Sequence, residues 1–197
     1  MGCGISSSSS PSTAEQKREN KLTMDEIDSL IPDEANNEGR ESRKRLFEKF
    51  DKNGSKKLTY EEVLAGCKDV LHLDRYTNRL PDVVRRSFDN AKAALTEKST
   101  SGDANQVEYM EFNILMRQLR YHMELMVVFD SIDTSDNGLI DQKEFDKGAK
   151  LLEQYGVTLD DTKATFKMLD SDGTGNISAG EFLDWAVLMR LKANPVS

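Results

Sequence analysis

Three stretches of this chain carry oxygen-bearing side chains at matching intervals, and the intervals define the chemistry. Residues 133–144 read DTSDNGLIDQKE and residues 170–181 read DSDGTGNISAGE. Counted from the first Asp, positions 1, 3, 5, 9 and 12 are Asp133, Ser135, Asn137, Asp141 and Glu144 in one, and Asp170, Asp172, Thr174, Ser178 and Glu181 in the other. The backbone carbonyls of Leu139 and Asn176 fall at position 7. Neither set contains sulfur or imidazole. An all-oxygen set with a carboxylate able to bind through both oxygens at its end suits calcium, a large, hard cation that takes six to eight oxygens. Gly138 and Gly175 at position 6 allow a sharp turn, and Ile140 and Ile177 at position 8 point back to a core.

The third stretch, 51–62, reads DKNGSKKLTYEE. Asp51, Asn53, Ser55, the carbonyl of Lys57, Thr59 and Glu62 all offer oxygen, but position 6 is Lys56 and the glycine lies two residues early, at Gly54. A left-handed Lys costs about 1–2 kcal/mol, and Lys56 and Lys57 set positive charge beside the cation. A structural role is expected here rather than binding at physiological calcium. A damaged fourth copy keeps only its second half, Val107 to Glu111 and Phe112. Counted back from Glu111, its positions 1, 3 and 5 are Thr100, Gly102 and Ala104, and the last two have no side-chain oxygen. It is expected to bind nothing and to pair Val107 against Leu58. This spacing, helix to 12-residue loop to helix, is the EF-hand pattern.

No catalytic group is expected. His72 and His122 read as isolated, without a metal-ligand or Ser/His/Asp arrangement; Cys67 lies on an apolar helix face and reads as a buried thiol; Trp185 reads as core. The N-terminus does carry a chemical address. In MGCGIS, Gly2 with Ser6 matches the N-myristoylation signal, and Cys3 is placed for palmitoylation. One myristoyl chain gives only marginal membrane binding, so Cys3 would supply the second anchor.

The elements that position these residues follow from the apolar pattern. Residues 1–23, with a serine run at 6–10 and Pro11, are too poor in large apolar groups to fold and read as a disordered tail. Met24, Ile27, Leu30 and Ile31 form a short docking helix ended by Pro32, and 33–39 read as a linker. Helical spacing then runs from Arg40 through Leu46, Phe47 and Phe50, resumes at Val63 to Leu71, and recurs near 79–95, 109–131, 142–154, 159–169 and 179–191. The helix 109–131 is apolar beyond one stripe and rich in Met, which fits burial between lobes or a face uncovered by calcium.

Composition sets the class. The 197 residues carry a net charge of −8, with 37% hydrophobic and 31% charged residues. Between 125 and 185 there are thirteen carboxylates against five lysines, a difference that accounts for the whole net charge. An acidic balance speaks against a nucleic-acid partner, two cysteines make no disulfide scaffold, and no apolar run approaches the roughly 20 residues of a membrane span. A soluble intracellular protein is expected.

The sequence resembles the calflagin family, the flagellar calcium-binding proteins of protists. The resemblance rests on MGCG, on LFEKFDKN with KLTYEEVLAGCKDVLHLD, on the insertion in the second hand, and on DNGLID, DGTGNIS and EFLDWA. It implies four EF-hands in two lobes, acylation at Gly2 and Cys3, calcium sensing by the C-terminal pair, and attachment to the inner face of a flagellar or ciliary membrane. The expected protein is therefore all-α, with a disordered acylated tail and short docking helix over 1–39, a degenerate EF-hand pair over 40–123 whose second hand is vestigial, and a calcium-binding pair over 124–197. Its expected partners are a lipid membrane through the acyl chains and, in the calcium state, a target helix; a dimer is a further candidate. The alternative readings are an acylated calcium-dependent regulatory subunit of a phosphatase or kinase, or a simple calcium buffer, with the cytoplasmic side of the plasma membrane as the alternative location.

Overall fold

A computed structural model describes residues 21–32, 36–94, 105–189 and 191. Its elements are α1 (Met24–Leu30), α2 (Asn37–Phe50), β1 (Leu58–Thr59), α3 (Tyr60–Asp69), a single 3-10 turn (Leu73–Arg75), α4 (Leu80–Ala94), β2 (Gln106–Val107), α5 (Tyr109–Ile132), β3 (Leu139–Ile140), α6 (Gln142–Gln154), α7 (Thr162–Leu169), β4 (Ile177–Ser178) and α8 (Ala179–Leu188). The architecture is all-α, with two two-residue ribbons.

The loops and helices are joined by the loops' own residues. In three hands the residue at position 9 caps the following helix: Thr59, Asp141 and Ser178 each accept the N–H of the position-12 Glu, whose carboxylate accepts the cap's N–H in return. The ribbons tie hands into pairs. Leu58 sits opposite Val107, as the position-8 residues predict, and Ile140 opposite Ile177.

The core is one continuous apolar cluster, and α5 is its axis. Phe112, Leu115, Met116 and Leu119 are buried on the N-lobe side, and Leu125, Val128, Phe129 and Ile132 on the C-lobe side. Phe112 packs edge-on against Phe47 and Phe50; Phe129 does so against Phe182. The broad apolar face of this helix is thus core, with Met110 at its start exposed. Trp185 is buried between Phe145 and Phe182, and Cys67 is buried, which pushes its thiol up to about 12.

Two readings of the N-terminal region change. The tail was expected to extend to residue 23, but Thr23 caps α1, Leu22 is buried, and the Lys21 ammonium donates to the carbonyl of Asp130 at 3.3 Å. The linker was expected to reach residue 39, but α2 begins at Asn37 because the Asn36 side chain accepts the N–H of Gly39 at 2.7 Å. Helix α1 packs on α5. Ile27 and Ile31 are fully buried, and Arg120 of α5 pairs with Asp28 and donates to the Ile31 carbonyl at 3.2 Å. Among the described residues no helix is long and apolar enough to cross a membrane. Gly2 and Cys3 lie outside the described residues, as do Thr100, Gly102 and Ala104.

Candidate metal centre

In each loop, the Asp at its head and the Glu at its end are held by backbone N–H groups of the loop itself. Asp133 accepts from Asn137 at 3.2 Å and Gly138 at 2.7 Å. Asp170 accepts from Gly175 at 3.0 Å, and Asp51 from Ser55 at 3.0 Å and Lys56 at 2.8 Å. At the other end one oxygen of the position-12 Glu accepts the position-9 N–H, while the other turns into the loop. Ser135 links both ends of its loop: its N–H donates to Glu144 at 2.8 Å and its hydroxyl to Asp133 at 3.2 Å. Asp133 and Glu144 are buried, an arrangement that costs free energy unless a cation or several donors compensate it.

The turn geometry is shared by all three loops. Positions 4 and 6 both have positive φ: Gly54 at 70° and Lys56 at 62°, Asp136 at 57° and Gly138 at 83°, Gly173 at 70° and Gly175 at 83°. Lys56 is thus held left-handed, as its position predicts. Gly54, which looked misplaced in sequence, answers the same requirement at position 4.

The donors differ more than the backbones do. Asp170, Asp172 and Glu181 bring carboxylate oxygens within 4.8 Å of one another, a spacing a single cation can bridge. Burial works to raise the Glu181 carboxyl, but hydrogen bonds from Ser178, Ser171 and Asp172 outweigh it and hold the group at about 2. Glu144 is lowered by the same balance, burial opposed by donors from Asp141, Ser135 and Thr134. Both carboxyls are ionised at neutral pH. In loop 51–62 the Asn53 amide donates to Glu62 at 2.5 Å, and the Ser55 hydroxyl donates to the Lys57 carbonyl at 2.7 Å as the Thr174 hydroxyl does to Asn176 at 3.2 Å. Its ligand slots hold two carboxylates, Asp51 and Glu62, against three in each C-terminal loop, and Lys56 and Lys57 offset their charge. Affinity follows ligand charge, so the residues of 133–144 and 170–181 fit calcium and those of 51–62 fit it poorly. Glu144 and Glu181, with the Asp at the head of each loop, would hold the ion.

Three arrangements were not legible in the sequence. Arg79, just before α4, reaches across to the C-lobe, where its guanidinium donates to the Gly138 carbonyl and lies 5.2 Å over the Phe129 ring. Lys92 of α4 pairs with Glu111 of the second hand. His122 is not isolated: Ser87 Oγ lies 2.9 Å from its Nδ1. That pair is a packing feature. The Ser87 hydroxyl also approaches the Val83 carbonyl at 2.8 Å, and burial, aided by Arg86, lowers His122 to about 4, so the ring is neutral.

Paired EF-hands around a shared helix, with oxygen-only loops, define the calcium-binding EF-hand class. The FCaBP EF-hand domain family matches residues 27–119, and the EF-hand domain pair family matches 123–187. The Flagellar calcium-binding protein of Trypanosoma cruzi is 40% identical over 168 residues, covering 85% of this chain and 80% of that protein. Flagellar calcium-binding protein TB-17 of Trypanosoma brucei brucei is 34% identical, covering 88% and 75%, and TB-24 of the same organism is 35% identical, covering 87% and 79%. The chain belongs to the flagellar calcium-binding protein family. Its cofactor is calcium, and it is not an enzyme.

Proposed function

We propose that this chain is a calcium sensor whose two working sites are loops 133–144 and 170–181. The observation that carries this reading is the convergence of Asp170, Asp172 and Glu181 in a loop tied through β4 and β3 to a second loop with the same donor order. Loop 51–62 is a structural partner in this reading. Helix α5 leads directly into Asp133, so a change at that ligand is felt along a helix that also forms the N-lobe core. Calcium would reorient α6 and α8 against α5 and change what the C-lobe presents to a partner helix or a membrane. The motif at Gly2 and Cys3 supports anchoring by myristate and palmitate, and the relatives' names support a flagellar location.

Calorimetric titration of the full chain tests the site assignment. Two sites are expected; Glu144→Gln and Glu181→Gln should each remove one, and the double variant both. Tight binding that persists in the double variant overturns the assignment. Trp185, the single tryptophan, packs between Phe145 and Phe182 beside both loops and should change emission on calcium addition. An emission spectrum unmoved at saturating calcium would argue for a buffer. For the anchor, Gly2→Ala should release the protein from the membrane fraction, and retention would exclude acylation as its cause.

A further inference from the structure

The surviving half of the second hand has an occupant of its own. Counted back from Glu111 at position 12, Gln106 stands at position 7, so its carbonyl and the Glu111 carboxylate are two groups that a bound ion would join. The Lys92 ammonium lies 2.8 Å from the Gln106 carbonyl and 2.8 Å from Glu111 Oε1. Both partners are fixed independently of Lys92. Gln106 is held in the ribbon opposite Thr59, and Glu111 Oε2 accepts the N–H of Glu108 at 2.8 Å, the position-9 bond that also holds Glu62, Glu144 and Glu181. The Glu111 side chain is 3% exposed and that of Lys92 16%.

We infer that Lys92 is a tethered cation occupying the ion position of the second hand, joining its position-7 carbonyl and position-12 carboxylate as calcium does in a working hand. An ammonium is suited to this. It is a compact charge with three donors and no acceptor, and it reaches this loop from α4, the helix that precedes it. An ordinary ion pair would need only the carboxylate; the second contact, to the position-7 carbonyl, marks the ion position. The N-lobe then keeps its cation-filled arrangement at every calcium concentration, which leaves calcium response to the C-lobe. The inference rests on the hand geometry used above, and its test is separable from that of the working sites.

The experiment uses the full chain carrying Glu144→Gln and Glu181→Gln, with and without Lys92→Ala, and follows thermal unfolding by circular dichroism against calcium chloride. The parent should show no calcium dependence; if it still binds tightly, the assignment of the C-lobe sites fails, not this inference. Removing one partner of a buried pair is strongly destabilising, so Lys92→Ala should lower the melting temperature by on the order of 5 °C or more. The native loop lacks donors at positions 3 and 5, so a second pair of variants supplies them. Gly102→Asp with Ala104→Asp should gain a melting temperature that millimolar calcium raises only when Lys92→Ala is added, because Lys92 otherwise fills the ion position. If the donor-restored Lys92→Ala chain is unfolded without calcium, calcium-induced folding becomes its readout. An unchanged melting temperature in Lys92→Ala, or the same calcium response with and without Lys92 in the donor-restored pair, overturns the inference.

Discussion

Lys56 and His122 show how single residues depart from what their surroundings would select. Lys56 sits at φ 62° in a position that Gly138 and Gly175 fill at lower cost. Its N–H still donates to Asp51 at 2.8 Å, and a glycine would keep that bond. Lys56→Gly should therefore stabilise the chain by about 1 kcal/mol, read as a higher urea midpoint with unchanged slope. A lower midpoint would show that the side chain contributes more than its strain costs. His122 makes a pH prediction. Its ordinary value is 6.5, and burial first, then Arg86, lowers it to about 4 against the opposing pull of Asp184. The unfolded chain then binds a proton in the window between those values while the folded chain does not. Stability is complete above 6.5 and falls as pH drops toward 4, by on the order of 3 kcal/mol. Asp130, raised by burial to about 6, works in the opposite direction, since the folded state takes up its proton first. His122→Asn, which keeps a polar partner for Ser87, should flatten the difference between urea midpoints at neutral pH and pH 4.5. An equal fall in wild type and variant would remove His122 as the cause.

Helices α2 and α3 cross at Gly66, where an added Cβ would lie 2.4 Å from the Phe50 ring. Phe50 cannot yield, because it is buried and packed edge-on against Phe112. Gly66→Ala should thus destabilise the N-lobe by about 1–3 kcal/mol from overpacking, even though Ala is the better helix former by about 1 kcal/mol. Chemical denaturation checks the sign; a stabilised variant would mean that the helices part at no cost. At this scale the sequence was most legible. The 3.6-residue repeat of Leu46, Phe47 and Phe50 and the loop spacing from Asp133 to Glu144 are local signals, and the helices and loops stand where those signals put them. Ends were read less well, since caps depend on single side chains such as Asn36 and Asp161, the latter starting α7 at Thr162 rather than at 159. Contacts between distant segments left no local trace. Nothing in the residues around Lys92 or Ser87 announces Glu111 or His122, because α4 must first lie alongside α5.

The two lobes of the whole molecule meet through charge as well as through the shared core. Arg86 of α4 pairs with Asp184 of α8, and Arg79 donates to Gly138 inside the third loop. Lys21 lies 3.5 Å from Asp136, at position 4 of that loop. The loop 133–144 is therefore touched by two cations from outside its own lobe; Arg86, which approaches loop 170–181 at Gly180, is paired with Asp184 instead of the acidic cluster. A guanidinium several ångströms from a divalent ion repels it by about 1 kcal/mol even at high effective dielectric. The Lys21 pair is exposed and contributes less. Arg79→Gln keeps a donor for the Gly138 carbonyl and removes the charge. In a Glu181→Gln background, which isolates the third loop, it should tighten calcium binding by roughly three- to tenfold at low salt. The gain should shrink as added salt screens the native repulsion. In the complementary Glu144→Gln background the same substitution should change binding at loop 170–181 by less, since the Arg79 guanidinium is bonded to the third loop at Gly138. Calorimetry at two ionic strengths decides. Weaker binding at the third loop would show that the Arg79 contact orders the Gly138 peptide for the ion, and that geometry outweighs charge where the N-lobe reaches the site.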